Sequence, residues 1–139
     1  MPNPVSITGG CQCGAVRYEA VAAPDYAGYC CCRDCRRASG SAYIPFMGFP
    51  AHALRFTGET TVQVRSPAFR GGEAVRNRCP DCGSLIFGGV VGESESHTIY
   101  AGSLDDPSFF HPTMALFDRD RPDWAVLPPG LTVFDTMPG

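Results

Sequence analysis

All eight cysteines in this 139-residue chain fall into three tight clusters, and seven of them are spaced as metal ligands. No other feature limits the fold as strongly. The N-terminal Met-Pro-Asn-Pro-Val-Ser lacks the basic start and apolar stretch of a secretory signal. No window approaches the ~18 continuous apolar residues of a membrane span. The expected compartment is therefore the cytoplasm, where thiols stay reduced and clustered cysteines hold metal more often than they pair as disulfides.

The first cluster is Gly10-Cys11-Gln12-Cys13-Gly14. Residues i and i+2 of an extended chain share a face, so both thiolates can meet one ion. The flanking glycines permit a tight bend around it. The second is Arg78-Cys79-Pro80-Asp81-Cys82-Gly83, a zinc-knuckle turn in which backbone N–H groups point at the sulfurs. A redox C-x-x-C would open a helix after a strand. Here Gly-Ser and then Leu-Ile-Phe follow, which reads as a strand. The third is Cys30-Cys31-Cys32-Arg33-Asp34-Cys35. Cys30 and Cys32 share a face, and Cys35 follows on the first turn of a short helix. Cys31 then points the other way and reads as a small buried hydrophobe.

Structural zinc takes four protein ligands, whereas catalytic zinc takes three and keeps one position open. Seven clustered thiols divide as four plus three. The simplest division closes one site with Cys11, Cys13, Cys79 and Cys82 and leaves Cys30, Cys32 and Cys35 as an open triplet. Spacing alone also allows other pairings, or a triplet closed by Cys31, a histidine or an acid.

Thirteen prolines and sixteen glycines cut the rest into short segments rich in β-branched and aromatic residues. Strand patterns appear at Ala15 to Val21, Thr60 to Arg65, Ser84 to Val91 and Ser96 to Ala101. Arg33 to Ser39 reads as the one clear helix, and Asp105-Asp106-Pro107-Ser108 as a further helical turn. Asp118 to Pro129 is polar, proline-rich and expected at the surface. Without repeat, low-complexity tract or linker, residues 1-139 read as a single all-β domain with short helical turns.

A net charge of −3 argues against a nucleic-acid partner, which needs a basic face. Arg33, Arg36 and Arg37 form the only local basic cluster, enough for one anionic small molecule. His52, His97 and His111 sit in no recognisable motif and read as structural. Asp105 and Asp106 read as helix caps, and Trp124 as packed on the core.

Four stretches resemble the glutathione-dependent formaldehyde-activating enzyme family. They are Gly9-Gly-Cys-Gln-Cys-Gly-Ala-Val-Arg-Tyr18, Cys30-Cys-Cys-Arg-Asp-Cys-Arg-Arg-Ala-Ser-Gly40, Arg78-Cys-Pro-Asp-Cys-Gly-Ser84 and Ala101-Gly-Ser-Leu-Asp-Asp-Pro107. The resemblance implies a β-tent fold of mostly antiparallel strands with two zinc sites. Cys11, Cys13, Cys79 and Cys82 would hold the structural zinc, and Cys30, Cys32 and Cys35 the catalytic one. The implied activity is a carbon–sulfur lyase or synthase reaction, the condensation of glutathione with formaldehyde to S-hydroxymethylglutathione. This chain departs from the family at Cys31, where a histidine is usual, and at Met114-Ala115-Leu116-Phe117, where many members carry a histidine. Members with the founding activity also tend to be longer.

The open site has its own chemistry. Zn²⁺ on three thiolates carries a charge of about −1, which blunts its Lewis acidity relative to a histidine site. Soft ligands favour sulfur as the fourth donor. A substrate thiol, ionised there, could add to an aldehyde. Arg36 and Arg37 are the expected substrate-binding residues, able to hold a carboxylate bidentately. A non-catalytic zinc module that binds a protein partner is the alternative.

Overall fold

The computed structural model describes residues 5–58, 60–69 and 71–138. Eleven strands are assigned among them: β1 (Ile7–Gly10), β2 (Val16–Ala20), β3 (Tyr26–Cys30), β4 (Ile44–Pro50), β5 (Leu54–Gly58), β6 (Val62–Pro67), β7 (Glu73–Arg78), β8 (Leu85–Gly88), β9 (Ser96–Tyr100), β10 (Met114–Leu116) and β11 (Thr132–Val133). One α-helix, α1 (Arg33–Ser39), joins them with several 3₁₀ turns. The all-β expectation therefore holds. Among the described residues no helix is long and apolar enough to cross a membrane.

The strands form two sheets. The smaller has the order β1-β2-β5, and the larger β11-β10-β3-β4-β9-β8-β7-β6. Pairing is antiparallel except that β10 runs parallel to both β3 and β11. The main core lies between the sheets. Val16, Tyr18 and Leu54 of the small sheet pack with Met47, Phe49, Ile86, Phe87 and Ile99 of the large one. Clean alternation along β2, with Val16, Tyr18 and Ala20 buried and Arg17 and Glu19 outward, commits one face of the small sheet to this core. A second apolar cluster of Phe46, Leu116 and Phe117 packs against Cys30, Cys32 and Met114. It forms the floor beneath the third cysteine cluster. Phe117 has φ +57 there, a left-handed backbone uncommon for an aromatic residue.

All four sequence-read strands are present, within a few residues of the expected limits. Helix α1 spans Arg33–Ser39 as expected. Asp106 caps the short 3₁₀ turn Pro107–Phe109, accepting from the Ser108 amide. Asp105 does not cap. It pairs instead with Arg17 and accepts from the Thr8 hydroxyl, because the turn after β9 lies against β1 and β2. Trp124 is 75% exposed and does not pack on the core. The segment from Asp118 places only Ala125 fully inside, where Arg121 ties it down through the Ala125 carbonyl.

Candidate metal centres and the clefts beside them

Two turns of the same design make the first centre. After β1 the chain bends at Cys11, whose amide donates to the Val16 carbonyl and whose sulfur accepts from the Val16 amide at 3.2 Å. After β7 it bends at Cys79, whose sulfur accepts from the amides of Asp81 and Cys82 at 3.4 and 3.5 Å. Each turn closes on a glycine with positive φ, Gly14 (+86) and Gly83 (+77), a conformation that a Cβ would strain. Ser84 joins the two turns by accepting from the Gln12 amide at 3.0 Å and contacting the Cys82 sulfur at 3.1 Å.

The result is four sulfurs, Cys11, Cys13, Cys79 and Cys82, all within 4.8 Å of one another. The Cys11–Cys13 and Cys13–Cys79 separations are 3.6 and 3.7 Å. A tetrahedron with zinc–sulfur bonds of about 2.3 Å has edges of ~3.8 Å. The spacing therefore suits a tetrahedral soft ion. All eight cysteines are free thiols. The Ser84 hydroxyl and amide hold the Cys82 thiol down at about 5. The Ala15 amide also favours the Cys13 thiolate, but crowding by Cys11, Cys79 and Cys82 overrides it and pushes that thiol up to about 12. Four thiols this close resist ionising together unless a cation neutralises them.

The second centre is built by β3 and α1. β3 delivers Cys30. Cys32 is the N-cap of α1, its sulfur accepting from the Cys35 amide at 3.3 Å in the role usually taken by a hydroxyl or carboxylate. One turn of helix then brings Cys35 back, and the three sulfurs lie within 4.8 Å of one another. Hydrogen bonds from the Cys30 and Cys35 thiols hold Cys32 down to about 2. Cys30 is pushed up by Cys32 and Cys35 and by burial. Cys31 is fully buried, donates its amide to the Leu116 carbonyl and lies outside the triplet. Both cysteine groups can hold a metal ion.

No histidine joins either centre. His52 and His111 are exposed. His97 is buried edge-on against the stacked Phe56 and Phe87 rings, with its Nδ1 at 3.1 Å from the Gly88 carbonyl.

Two clefts lie beside β3 and α1. One is a cavity of about 620 Å³ that Cys30 lines, with walls from Tyr26, Phe46, Val75, Met114 and Leu116. The other is a groove of about 450 Å³ lined by Arg33, Arg37, Arg76 and Arg78, with Asp34 the one acid on its lining among the described residues. The β6–β7 hairpin forms its far wall by folding back on α1. The Phe69 amide donates to Asp34 at 2.7 Å, and Arg33 lies 5.2 Å from the Phe69 ring centroid. Of the two arginines expected to bind substrate, Arg37 lines this groove. Arg36 lines neither cleft, and its Nε is buried without a hydrogen-bond partner among the described residues.

Arg76 lines both clefts, and nothing in the sequence marks it. It sits at the fourth position of a strand that a broken apolar pattern hides. Its Nε is buried without a hydrogen-bond partner among the described residues, its charge acts on Cys35, and its guanidinium sits beside the Tyr100 hydroxyl. Burial pushes the Tyr100 phenol up to about 12. Tyr100 also falls outside the sequence reading of the site.

A solved structure of a Rhodobacter sphaeroides protein, a structural-genomics target, is similar in fold. It is 22% identical, with a TM-score of 0.52, over 70% of this chain and 87% of that one. No curated protein matches significantly. The model of the glutathione-dependent formaldehyde-activating enzyme family matches residues 6–120, which hold both cysteine groups, and the chain belongs to that family, whose chemistry is glutathione-dependent activation of formaldehyde.

Proposed function

We propose that the protein is a zinc-dependent carbon–sulfur lyase or synthase, acting on the adduct of a thiol such as glutathione with an aldehyde. The observation that carries this reading is the position of the triplet. Its Cys30 opens onto a concave apolar cavity, and Arg76 lines both that cavity and an arginine-lined groove along α1. A closed structural site has no use for two clefts, so this arrangement favours an enzyme over a partner-binding module.

Zinc held by Cys30, Cys32 and Cys35 would supply a soft position that favours a sulfur donor in its thiolate form. The chain's own residues do the rest. Arg33 and Arg37 offer guanidinium groups to the thiol's carboxylates, with Arg36 on the same helix. Arg76, between the clefts, offsets the negative charge gathered on the sulfurs. It also stands, with the Tyr100 hydroxyl, where a carbonyl oxygen gaining charge could accept hydrogen bonds. Met114, Leu116 and Phe46 keep bulk water from the reacting sulfur. Cys11, Cys13, Cys79 and Cys82 take no part in the chemistry. In this reading they hold a structural zinc that clamps the two sheets.

Cobalt replacement tests the reading. Adding glutathione to the cobalt-loaded protein should change the thiolate charge-transfer band, and the change should vanish in Cys35→Ser. If no thiol perturbs the band while the triplet is metallated, the enzyme reading fails.

A further inference from the structure

The two clefts differ in kind, and that difference assigns the two reactants. The groove is basic and suits a thiol that carries carboxylates. The cavity is the opposite. Besides Tyr100, eight of its lining residues, among them Tyr26, Phe46, Met114 and Leu116, present rings or apolar side chains. Its polar groups gather at Arg76, Ser96, Thr98 and Tyr100. A one-carbon aldehyde brings no methylene to bury against such walls, and it would occupy a small corner of 620 Å³.

We propose that the electrophile of this site is a carbonyl compound with a long aliphatic or aromatic tail, lodged in the apolar cavity with its carbonyl toward Cys30, Arg76 and Tyr100. This rests on the thiol–aldehyde reading above and narrows it. The thiol sulfur forms a bond to the carbonyl carbon as the carbon–oxygen π pair moves onto oxygen. The proton lost from the thiol ends on that oxygen. Nothing is oxidised or reduced, and the reverse path expels the thiol. Each methylene buried against the walls is worth about fourfold in affinity, so a tail of several carbons dominates selection. The Nε of Arg76, which has no hydrogen-bond partner among the described residues, supplies a donor at the junction of the two clefts.

Two measurements test this on the zinc-loaded full-length protein. The first compares kcat/KM for octanal and formaldehyde with glutathione as the thiol. Octanal should lead by tenfold or more. The second is calorimetric binding of 1-octanol, which has the tail but no reactive carbonyl. It should bind saturably, and the signal should be lost in Thr98→Phe and in Ala74→Leu, which crowd the cavity from two different strands. Retained response of the cobalt band to glutathione shows that these variants are folded. Formaldehyde equalling or outpacing octanal overturns the proposal, as does an absence of octanol binding up to its solubility limit. Octanol binding in a protein whose cobalt band ignores every thiol would overturn it through its premise. The cavity would then be a site for an apolar small molecule with no role in thiol chemistry.

Discussion

The two cysteine centres set the same side chain in opposite surroundings. The four-cysteine centre joins a turn of the small sheet to a turn of the large one across 66 residues of sequence. Its sulfurs accept backbone amides and are braced by Ser84. The triplet comes from six consecutive residues of one strand end and one helix start, and it ties nothing distant together. Its surroundings are clefts instead of turns. A metal centre that holds a fold gathers ligands from far apart, whereas one that serves chemistry can be local and open on one side. Arg78 links the two, donating from one end of its guanidinium to Gly83 in the knuckle and from the other to Ala38 in α1.

The largest expected effect breaks the comparison if it fails. A structural zinc contributes on the order of 10 kcal/mol to folding, as much as a domain's whole net stability. Cys79→Ser and Cys82→Ser should therefore leave the chain unfolded or insoluble. Cys32→Ser and Cys35→Ser should give soluble, folded protein with one zinc equivalent fewer. Circular dichroism melts and elemental analysis check both. Equal loss of the melting transition in the two pairs would show that the triplet is structural too.

Next in size is graded metal removal. With three ligands and an open side, the triplet should yield its zinc to a mild chelator first. One equivalent should leave without loss of secondary structure, and the second only together with unfolding. Simultaneous loss of both metals would contradict the division of roles.

The centres were legible in the sequence because metal ligation depends on spacing, and spacing is written in the chain. The same holds for α1, with its Cys32 cap and its Gly40 stop in the left-handed region. The strands that carry the site were harder to read. β4 is apolar almost throughout, with prolines near both ends, because it is a central strand covered on both faces. Gly48 sits in its middle because the Tyr26 ring lies over it, 2.1 Å from where a Cβ would be. Neither fact follows from local pattern. β7 is interrupted by a bulge at Asn77 and Arg78, and the buried Asn77 reaches the carbonyls of Phe87 and Gly89. A buried asparagine and a cleft-lining arginine at adjacent positions do not alternate as an ordinary strand would. That is why Arg76 escaped notice, although it lines both clefts. Trp124 failed for the converse reason, since aromatic character alone does not say what lies opposite it.

A smaller effect sharpens the boundary of the triplet. Cys31 lies between two triplet cysteines, yet it is buried outside the group. Cys31→Ala should keep both zinc equivalents and cost about 1 kcal/mol for the small void it leaves. Urea unfolding with parallel zinc analysis reads both quantities. A missing equivalent would make Cys31 a ligand.

The smallest effect asks what joins the sheets besides the four-cysteine clamp. Asp105, on the turn after β9, pairs with Arg17 of β2 and accepts from Thr8 of β1, while its amide donates to the Thr8 carbonyl at 2.9 Å. The Arg17 guanidinium and the Thr8 hydroxyl hold the Asp105 carboxyl at about 2, below the ordinary value of about 3.9. The folded state therefore binds this proton more weakly than the unfolded chain. The stabilisation is complete above the unfolded value and disappears as pH falls from about 4 through about 2. Both side chains are more than a third exposed, so solvent screening limits the pair to about 1 kcal/mol or less. Asp105→Asn should thus be slightly less stable than the parent at pH 7. The gap should narrow at pH 3 and in 1 M salt, and zinc content should match the parent's at pH 7. Acid also protonates the thiolates, but it does so in both proteins, so the difference between their urea midpoints isolates the carboxylate. A gap of several kcal/mol at pH 7 would mean that the polar tie rivals the metal clamp, and the contrast between the two cysteine centres would need a third, metal-free partner.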